Sequence, residues 1–330
     1  MEITELLKYE VIFHWIALIF YLFSFIFFVG SMTSGRERGA KVALWLLVAG
    51  LLAHTVALGV RWYAVGHGPY LKKSESFSAI AWTVLLMFLF LSNKVPRLRA
   101  VGIVVLPFCL LLMSLALVSN QWLSDFLRQV LEQGTMGAGK DSFPKREILR
   151  PPPTFHGVWF VTHITSTVIS LGTILISLGT AVLFLLKTRK SEKEFYRRLP
   201  SLEMIDAYSY QFAGVGFIFW TIMIVTGAIW AEQAWGRYWG WDVMEIWSLI
   251  TWLLLGIYLH LRRFFRWGGM KAAWFMILCF FLSIMTIFAL PFVAKTIHSE
   301  YFCNECRIRF RGVTEHGTLW ISFHTDFGAA

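Results

Sequence analysis

The sequence predicts an all-α membrane protein, a polytopic bundle of about eight transmembrane helices with both termini on the outer side of the membrane. Two observations on composition favour this class. Hydrophobic residues make up 57% of the chain and charged residues only 15%, and the mean hydropathy is +0.61. The third observation is that the apolar residues are grouped in runs close in length to the ~20 residues that a helix needs to cross a bilayer.

Each apolar run is expected to form one span. The third run is the shortest, and its ends are the hardest to place. We expect the first run to be retained, because residues 1–10 carry Glu2, Glu5 and Glu10 and no small-residue cleavage site follows. The runs cover residues 11–32, 42–62, 77–91, 101–118, 162–186, 212–230, 245–261 and 272–294.

The basic residues predict the orientation. They are concentrated in the first, third, fifth and seventh connections, within residues 36–41, 94–99, 187–198 and 262–266. Cytoplasmic loops carry this excess of Lys and Arg, so the other connections and both termini are expected outside. The formal net charge of +10 therefore reflects topology and does not indicate nucleic-acid binding.

We expect one helical domain over residues 1–298 and an outer polar tail over residues 299–330 whose role the sequence does not indicate. Residues 120–133 form a candidate amphipathic helix in the long outer connection. Cys109 and Cys279 fall within spans and are expected in the core. Cys303 and Cys306 form a C-x-x-C pair that suits a disulfide or a metal site, and Arg307 after it excludes a c-type heme attachment motif.

The most informative segment is a tryptophan-rich outer loop near residues 231–245, continuing to Trp252. One interpretation is an interfacial aromatic belt. A belt, however, does not require glycines between tryptophans or a terminal aspartate. The alternative is a platform for a flat aromatic ligand, in which indoles stack and donate hydrogen bonds and an arginine pairs with a carboxylate. The candidate binding residues are Trp235, Arg237, Trp239, Trp241 and Asp242.

Heme b has the shape and the propionates that such a platform suits, and its iron needs axial ligands, most often histidine. His163 at the start of the fifth span and His298 after the last span are predicted to lie at the outer face and to ligate one iron. His54 and His260 fall within spans, where an ionisable side chain favours a function. His260 is predicted as a ligand at an inner heme position.

The remaining histidines receive simpler interpretations. For His14, a structural role is favoured over a functional one: a neutral imidazole that is hydrogen-bonded to a neighbouring helix. The histidines of the outer loops and tail are expected to be solvated, namely His67, His156, His316 and His324.

The loop resembles the WWD motif of the CcsA/ResC family of cytochrome c assembly proteins, roughly WGxYWxWDPKExWxLITW. The chain departs from it at Val243 and Met244, where the family usually has Pro and Lys. The resemblance extends over nearly the whole chain, and eight spans fit this branch better than the shorter CcmC or longer CcmF relatives. The segments that carry it outside the loop are His54 to Ser76, Trp159 to His163, Tyr258 to His260 and His298–Ser299.

The resemblance implies a subunit of a holocytochrome c synthase of the System II type. Heme would pass a site at His260, where His54 or, in the favoured version, a histidine of the partner subunit is the second ligand. It would then reach an outer site with His163 and His298, where it is presented to the CxxCH motif of an apocytochrome c. The implied partners are a CcsB/ResB-like membrane protein, the apocytochrome and, as further candidates, thiol-reducing proteins. The implied location is the bacterial inner membrane, or the thylakoid membrane for a plastid protein.

Three alternatives to a synthase stay open at this point. A HemX-like membrane regulator of heme synthesis shares the eight spans but does not attach heme. A transporter would move heme or another tetrapyrrole without ligating it to a protein. A b-type cytochrome holds paired histidines within the membrane and does not need the outer loop.

Overall fold

A computed structural model describes residues 3–120, 123, 155, 157–189, 194–197 and 199–290. These residues are helical or lie in turns, and none of them is in a β-strand. Within these ranges, eight helices are long and apolar enough to cross a membrane. The prediction of an all-α membrane bundle is thereby confirmed, while the side on which each terminus lies stays a prediction.

The helices are numbered here α1 to α8 in chain order. A 3-10 helix, Pro96–Val101, leads into α4, and a single-turn helix, Glu194–Arg197, lies between α5 and α6. The bounds are Ile3–Ser34 for α1, Glu37–Val65 for α2, Lys73–Lys94 for α3, Gly102–Val118 for α4, Val158–Arg189 for α5, Leu202–Trp235 for α6, Val243–Phe264 for α7 and Gly269–Ile284 for α8.

Most of the helices extend beyond the apolar runs, because backbone hydrogen bonding continues past the hydrocarbon-length segment; α4 and the end of α8 are exceptions. The largest extension is at the start of α6, where Ser201 caps the helix by accepting a hydrogen bond from the Met204 N–H at 3.2 Å. The predicted sixth run began only at residue 212. Cys109 and Cys279 are buried, which confirms the prediction that both are core residues.

Two groups of helices make up the bundle. Helices α1 to α4 pack against one another, and α5 to α8 do the same. The groups meet where α5 packs against α3 and α4. Most buried apolar side chains of both groups belong to one continuous core, so the helices enclose a shared interior at this junction.

The last described helix ends in an irregular turn. After Ile284 the backbone widens into one turn of π-helix, Met285–Ala289. Such turns are rare and occur often at functional sites. This turn contributes Thr286, Ile287 and Phe288 to the cavity described below.

Candidate functional site: an aromatic cavity below the tryptophan-rich loop

A large cavity lies at the junction of the two helix groups, at the end of the bundle where α6 ends and α7 begins. The cavity has a volume of about 210 Å³ and is partly open to the outside. The lining is mostly apolar and aromatic, as in sites for small molecules and cofactors. Its members come from the α2–α3 connection, α3, α5, α6, the tryptophan-rich loop, α7 and the π-turn, and they include Tyr70, Lys73, Phe160, His163, Gly227, Trp230, Trp235, Trp239, Glu245 and Phe288.

The tryptophan-rich loop begins where α6 stops. Gly236 takes the left-handed conformation at φ 69°, and its N–H donates to the Glu232 carbonyl at 2.8 Å. A side chain is strained in this conformation, so glycine is the residue that ends the helix here. Trp235 is thereby held at the last position of α6 and lines the cavity.

The loop is closed by a carboxylate at the start of α7. Asp242 caps α7, and the Glu245 side chain completes a capping box. Glu245 Oε2 accepts from the Gly240 N–H at 2.8 Å and from the Asp242 N–H at 3.0 Å. These two hydrogen bonds hold both ends of the segment that carries Trp241, so the loop is a fixed part of the cavity rim.

Trp239 and Trp241 have different environments within the loop. The Trp239 indole lines the cavity, and its buried Nε1–H has no hydrogen-bond partner among the described residues. Trp241 is 70% exposed and has a φ of 57°, which is uncommon for a residue with a side chain. The two rings meet edge to face, 5.9 Å apart. Of these two tryptophans, Trp239 is therefore the one whose indole N–H lacks a hydrogen-bond acceptor in the described part of the chain.

Arg237 lies across the loop. Its side chain is exposed, and its guanidinium packs so close to Gly240 that a Cβ on that residue would lie 2.6 Å from Arg237 Cζ. Gly240 thus allows the guanidinium to lie flat against the loop backbone. Arg237 is not among the residues that line the cavity, and its role as a partner for a ligand carboxylate stays a prediction.

His163 lies near the start of α5 and lines the cavity. Its Nδ1 is 2.8 Å from the carbonyl oxygen of Met223 on α6. Its ring lies nearly parallel to that of Trp230, with centroids 6.5 Å apart. The tryptophan-rich loop and His163, which lie far apart in the sequence, therefore border one cavity.

Two other predicted ligands, His54 and His260, do not border the cavity. His260 is exposed near the far end of α7, where its ring contacts Phe264 and Phe265. His54 is fully buried among α1 and α3, and its contacts do not include His260. His298 lies outside the described residues, as do Cys303, Cys306 and the tail. The predicted ligand roles of His54, His260 and His298 stay predictions.

His54 belongs to a chain of buried hydrogen bonds that the sequence did not reveal. Ser78 Oγ is 2.8 Å from Nε2 of His54 and 2.8 Å from Nε2 of His14. His54 Nδ1 is 3.1 Å from the Tyr21 hydroxyl, and His14 Nδ1 is 3.0 Å from the Glu10 carbonyl. His14 thus bonds to a neighbouring helix, as its favoured interpretation predicted. The shared Ser78 ties α1, α2 and α3 together.

A buried ion cluster lies beside this chain. Arg61 NH1 is 3.2 Å from Glu10 Oε2, and Arg61 NH2 is 2.9 Å from Glu75 Oε1. The second oxygen of Glu75 accepts the N–H groups of Leu71 and Lys72 at 3.0 and 3.1 Å. Pro69 to Lys73 form part of the cavity rim, so the cluster fixes that rim from below. Of this cluster only Arg61 lies within a predicted apolar run, so that charge was the one sequence signal for it.

His67 corrects one prediction. It was expected to be solvated, but it is only 5% exposed, and its Nδ1 is 2.8 Å from the Gly68 carbonyl. The turn that carries it folds inward because the Glu75 carboxylate, 4.0 Å from Nδ1, organises this connection. His156 lies outside the described residues.

The fold and the cavity define a polytopic membrane protein with an aromatic cavity at one end of its helices. The sequence profile of the family described as Cytochrome C assembly protein matches residues 70–298. The chain therefore belongs to this family, and its role lies in cytochrome c biogenesis. The family predicted from the tryptophan-rich loop is confirmed.

Individual relatives agree with this assignment. The chain is 31% identical to the cytochrome c biogenesis protein CcsA of Chlamydomonas reinhardtii, over 84% of this chain and 72% of that protein. It is 27% identical to CcsA of Guillardia theta, over 88% of this chain and 91% of that protein.

Among solved structures, the fold is similar to that of the cytochrome c heme lyase CcmF, with a TM-score of 0.59 and 17% identity. The match covers 87% of this chain but only 46% of the CcmF chain. At this identity the likeness shows a shared fold alone.

Proposed function

We propose that this protein binds heme b in the aromatic cavity and presents it, on the outer face of the membrane, to the CxxCH motif of an apocytochrome c. The observation that carries the proposal is the meeting of His163 with the tryptophan-rich loop at one cavity. In this proposal His163 and His298 ligate the iron, and Trp235, Trp239, Trp241, Arg237 and Asp242 form the platform.

The residues of the cavity fit heme in three respects. The apolar and aromatic lining suits a macrocycle. The buried Trp239 N–H lacks an acceptor, which a propionate would provide. The Met223 carbonyl can only accept a hydrogen bond, so His163 carries its proton on Nδ1, and the lone pair of the neutral ring is on Nε2.

The role of the protein in this mechanism is positional. His163 and the loop hold the ligand at a fixed depth, and the aromatic lining excludes water from it. When bound, heme supplies the two vinyl groups across which the thiols of CxxCH add, forming thioethers. The chemistry belongs mainly to heme and the substrate thiols. The capping carboxylate of Glu245 keeps the loop rigid while the substrate peptide approaches.

The proposal includes a second protein and a second site. A CcsB/ResB-like membrane protein is the proposed partner, in a bacterial inner membrane or a thylakoid membrane. His260 is exposed on α7, where a histidine supplied by that partner could complete an inner heme site. His54 has both ring nitrogens engaged, so a partner histidine suits this role better.

Replacement of the proposed ligand tests the assignment of the site. In the protein purified with its partner, His163→Gly should lower the heme content and remove the six-coordinate absorption spectrum, and added imidazole should restore the spectrum. Thr165→Gly is the matched control, because this exposed neighbour on α5 carries the same helix cost of glycine without contacting the cavity. An unchanged spectrum in His163→Gly would show that His163 is not a ligand.

Reconstitution tests the activity. The chain and its partner, expressed with an apocytochrome c in cells that lack their own assembly system, should produce heme that stays bound to the cytochrome under denaturing conditions. Good expression without covalent heme would contradict a synthase. It would favour the HemX-like regulator or the transporter.

A further inference from the structure

Helices α5 and α6 are joined by three side-chain hydrogen bonds in one antiparallel register. Each donor on α5 bonds to a backbone carbonyl on α6, and the donors and acceptors both recur every seventh residue. Seven residues are close to two helical turns, so the three bonds lie on one face of each helix. The pairs are Ser177 Oγ to Ser209 O at 2.8 Å, Ser170 Oγ to Gly216 O at 2.7 Å and His163 Nδ1 to Met223 O at 2.8 Å.

His163 is the last donor in this series, at the end that borders the cavity. Its orientation is therefore set by the register of the whole α5–α6 pair. The bond also assigns the tautomer, since a carbonyl oxygen accepts and does not donate. In metal sites, a bond of this kind at one imidazole nitrogen orients the other nitrogen toward the metal.

Gly227 provides the space for this arrangement. It lies one turn after Met223 on α6, and a Cβ there would be 2.6 Å from His163 Nδ1 and 2.8 Å from Cε1. Real Cβ atoms do not approach ring atoms so closely, so any other residue must displace the ring or separate the helices. The Trp230 indole, on the same helix, also lies beside the imidazole, nearly parallel to it with centroids 6.5 Å apart.

We propose that the turn from Met223 to Gly227 is a seat for the His163 imidazole and that Gly227 is a positioning residue. It allows the ring to approach the Met223 carbonyl, and this approach sets the direction in which Nε2 points. The inference rests on the proposed function, since it takes His163 as the iron ligand. It adds that iron ligation depends on a glycine on another helix.

The test is Gly227→Ala in the protein purified with its partner, with the absorption spectrum and heme affinity as readouts. The expected result is a spectrum that moves toward that of His163→Gly and a heme affinity lower by about 10- to 100-fold. The matched control is Gly214→Ala on the same helix, where a Cβ meets nothing within 4 Å. This control should retain the wild-type spectrum.

The double variant His163→Gly, Gly227→Ala separates the seat from other effects. If the added methyl group acts through the imidazole, it should cost nothing further in heme affinity or thermal stability once the imidazole is gone. This comparison also applies if Gly227→Ala alone does not fold, because the double variant should then fold as well as His163→Gly.

Two results would overturn the seat alone and leave the proposed function intact. One is a wild-type spectrum for Gly227→Ala while His163→Gly alters it, and the proposed function would then survive. The other is an equal loss of heme affinity from Gly227→Ala in the wild-type protein and in His163→Gly. That result would show that the added methyl group clashes with the ligand or with another helix and not with the imidazole. If His163→Gly itself has no effect, the ligand assignment fails and the seat fails with it.

Discussion

In this cavity, the indole N–H of Trp239 is the group whose surroundings most clearly favour a bound ligand. It is buried, and within the described chain it has no acceptor. A buried donor without a partner costs about 1 to 3 kcal/mol, and a ligand carboxylate would remove this cost. Trp241, beside it, is exposed in a strained backbone conformation, a feature that clusters at functional sites.

Trp239→Phe should weaken heme binding by roughly 10- to 100-fold, because it removes a hydrogen bond to a charged group worth about 1.5 to 3 kcal/mol and retains a ring. Heme titration of the purified protein measures this change. Trp252→Phe is the matched control: its N–H donates to Thr221 Oγ1 at 2.8 Å, and the residue does not line the cavity. Equal losses in the two variants would show that the effect is structural.

At the scale of elements, α3 and α7 start in the same way on either side of the cavity. Each helix begins after a segment of the cavity rim. Backbone N–H groups of that segment donate to a glutamate at the third helical position, which is Glu75 in α3 and Glu245 in α7. Glu75 is additionally paired with the buried Arg61. The rim on the α3 side thus depends on an ion cluster within the membrane domain.

Glu75→Leu should lower the apparent melting temperature in detergent strongly, since loss of one member of a buried pair costs about 3 to 5 kcal/mol. Glu75→Gln should cost less, because its amide oxygen can still accept from Leu71 and Lys72. Glu5→Gln is the control, as the Glu5–Lys8 pair is about half exposed and such pairs contribute about 0 to 1 kcal/mol. If Glu75→Leu melted like this control, the cluster would have no role in stability.

Sequence patterns predicted the elements better than their contacts. All eight described spans overlap the predicted runs, because hydropathy is a property of consecutive residues. The burial of His67 and the partners of Arg61 were missed, since both depend on how a connection folds onto neighbouring helices. The π-turn at Met285–Ala289 had no local signal at all.

For the whole molecule, the remaining question is which end faces outward. The basic residues predict that the tryptophan-rich loop lies outside and that the connection carrying Arg97 lies in the cytoplasm. Tyr238, which is 61% exposed, and Arg97, also exposed, are suitable positions for labels on opposite ends.

In cells, Tyr238→Cys should react with a membrane-impermeant maleimide, whereas Arg97→Cys should react only after lysis. Both variants are made with Cys303 and Cys306 replaced by Ser, which leaves Cys109 and Cys279 as buried background thiols. The reverse pattern would place the cavity on the cytoplasmic side and exclude presentation of heme to an outer apocytochrome.

The sequence by itself determined the membrane class, the spans and the family, because each depends on composition or on residues close together in the chain. Only the tertiary structure decided that His163 shares a cavity with the loop and that its imidazole rests on Met223 and Gly227. These residues are about 60 positions apart, so the register between α5 and α6 brings them together. Register depends on the packing of two helix surfaces, which no single segment encodes.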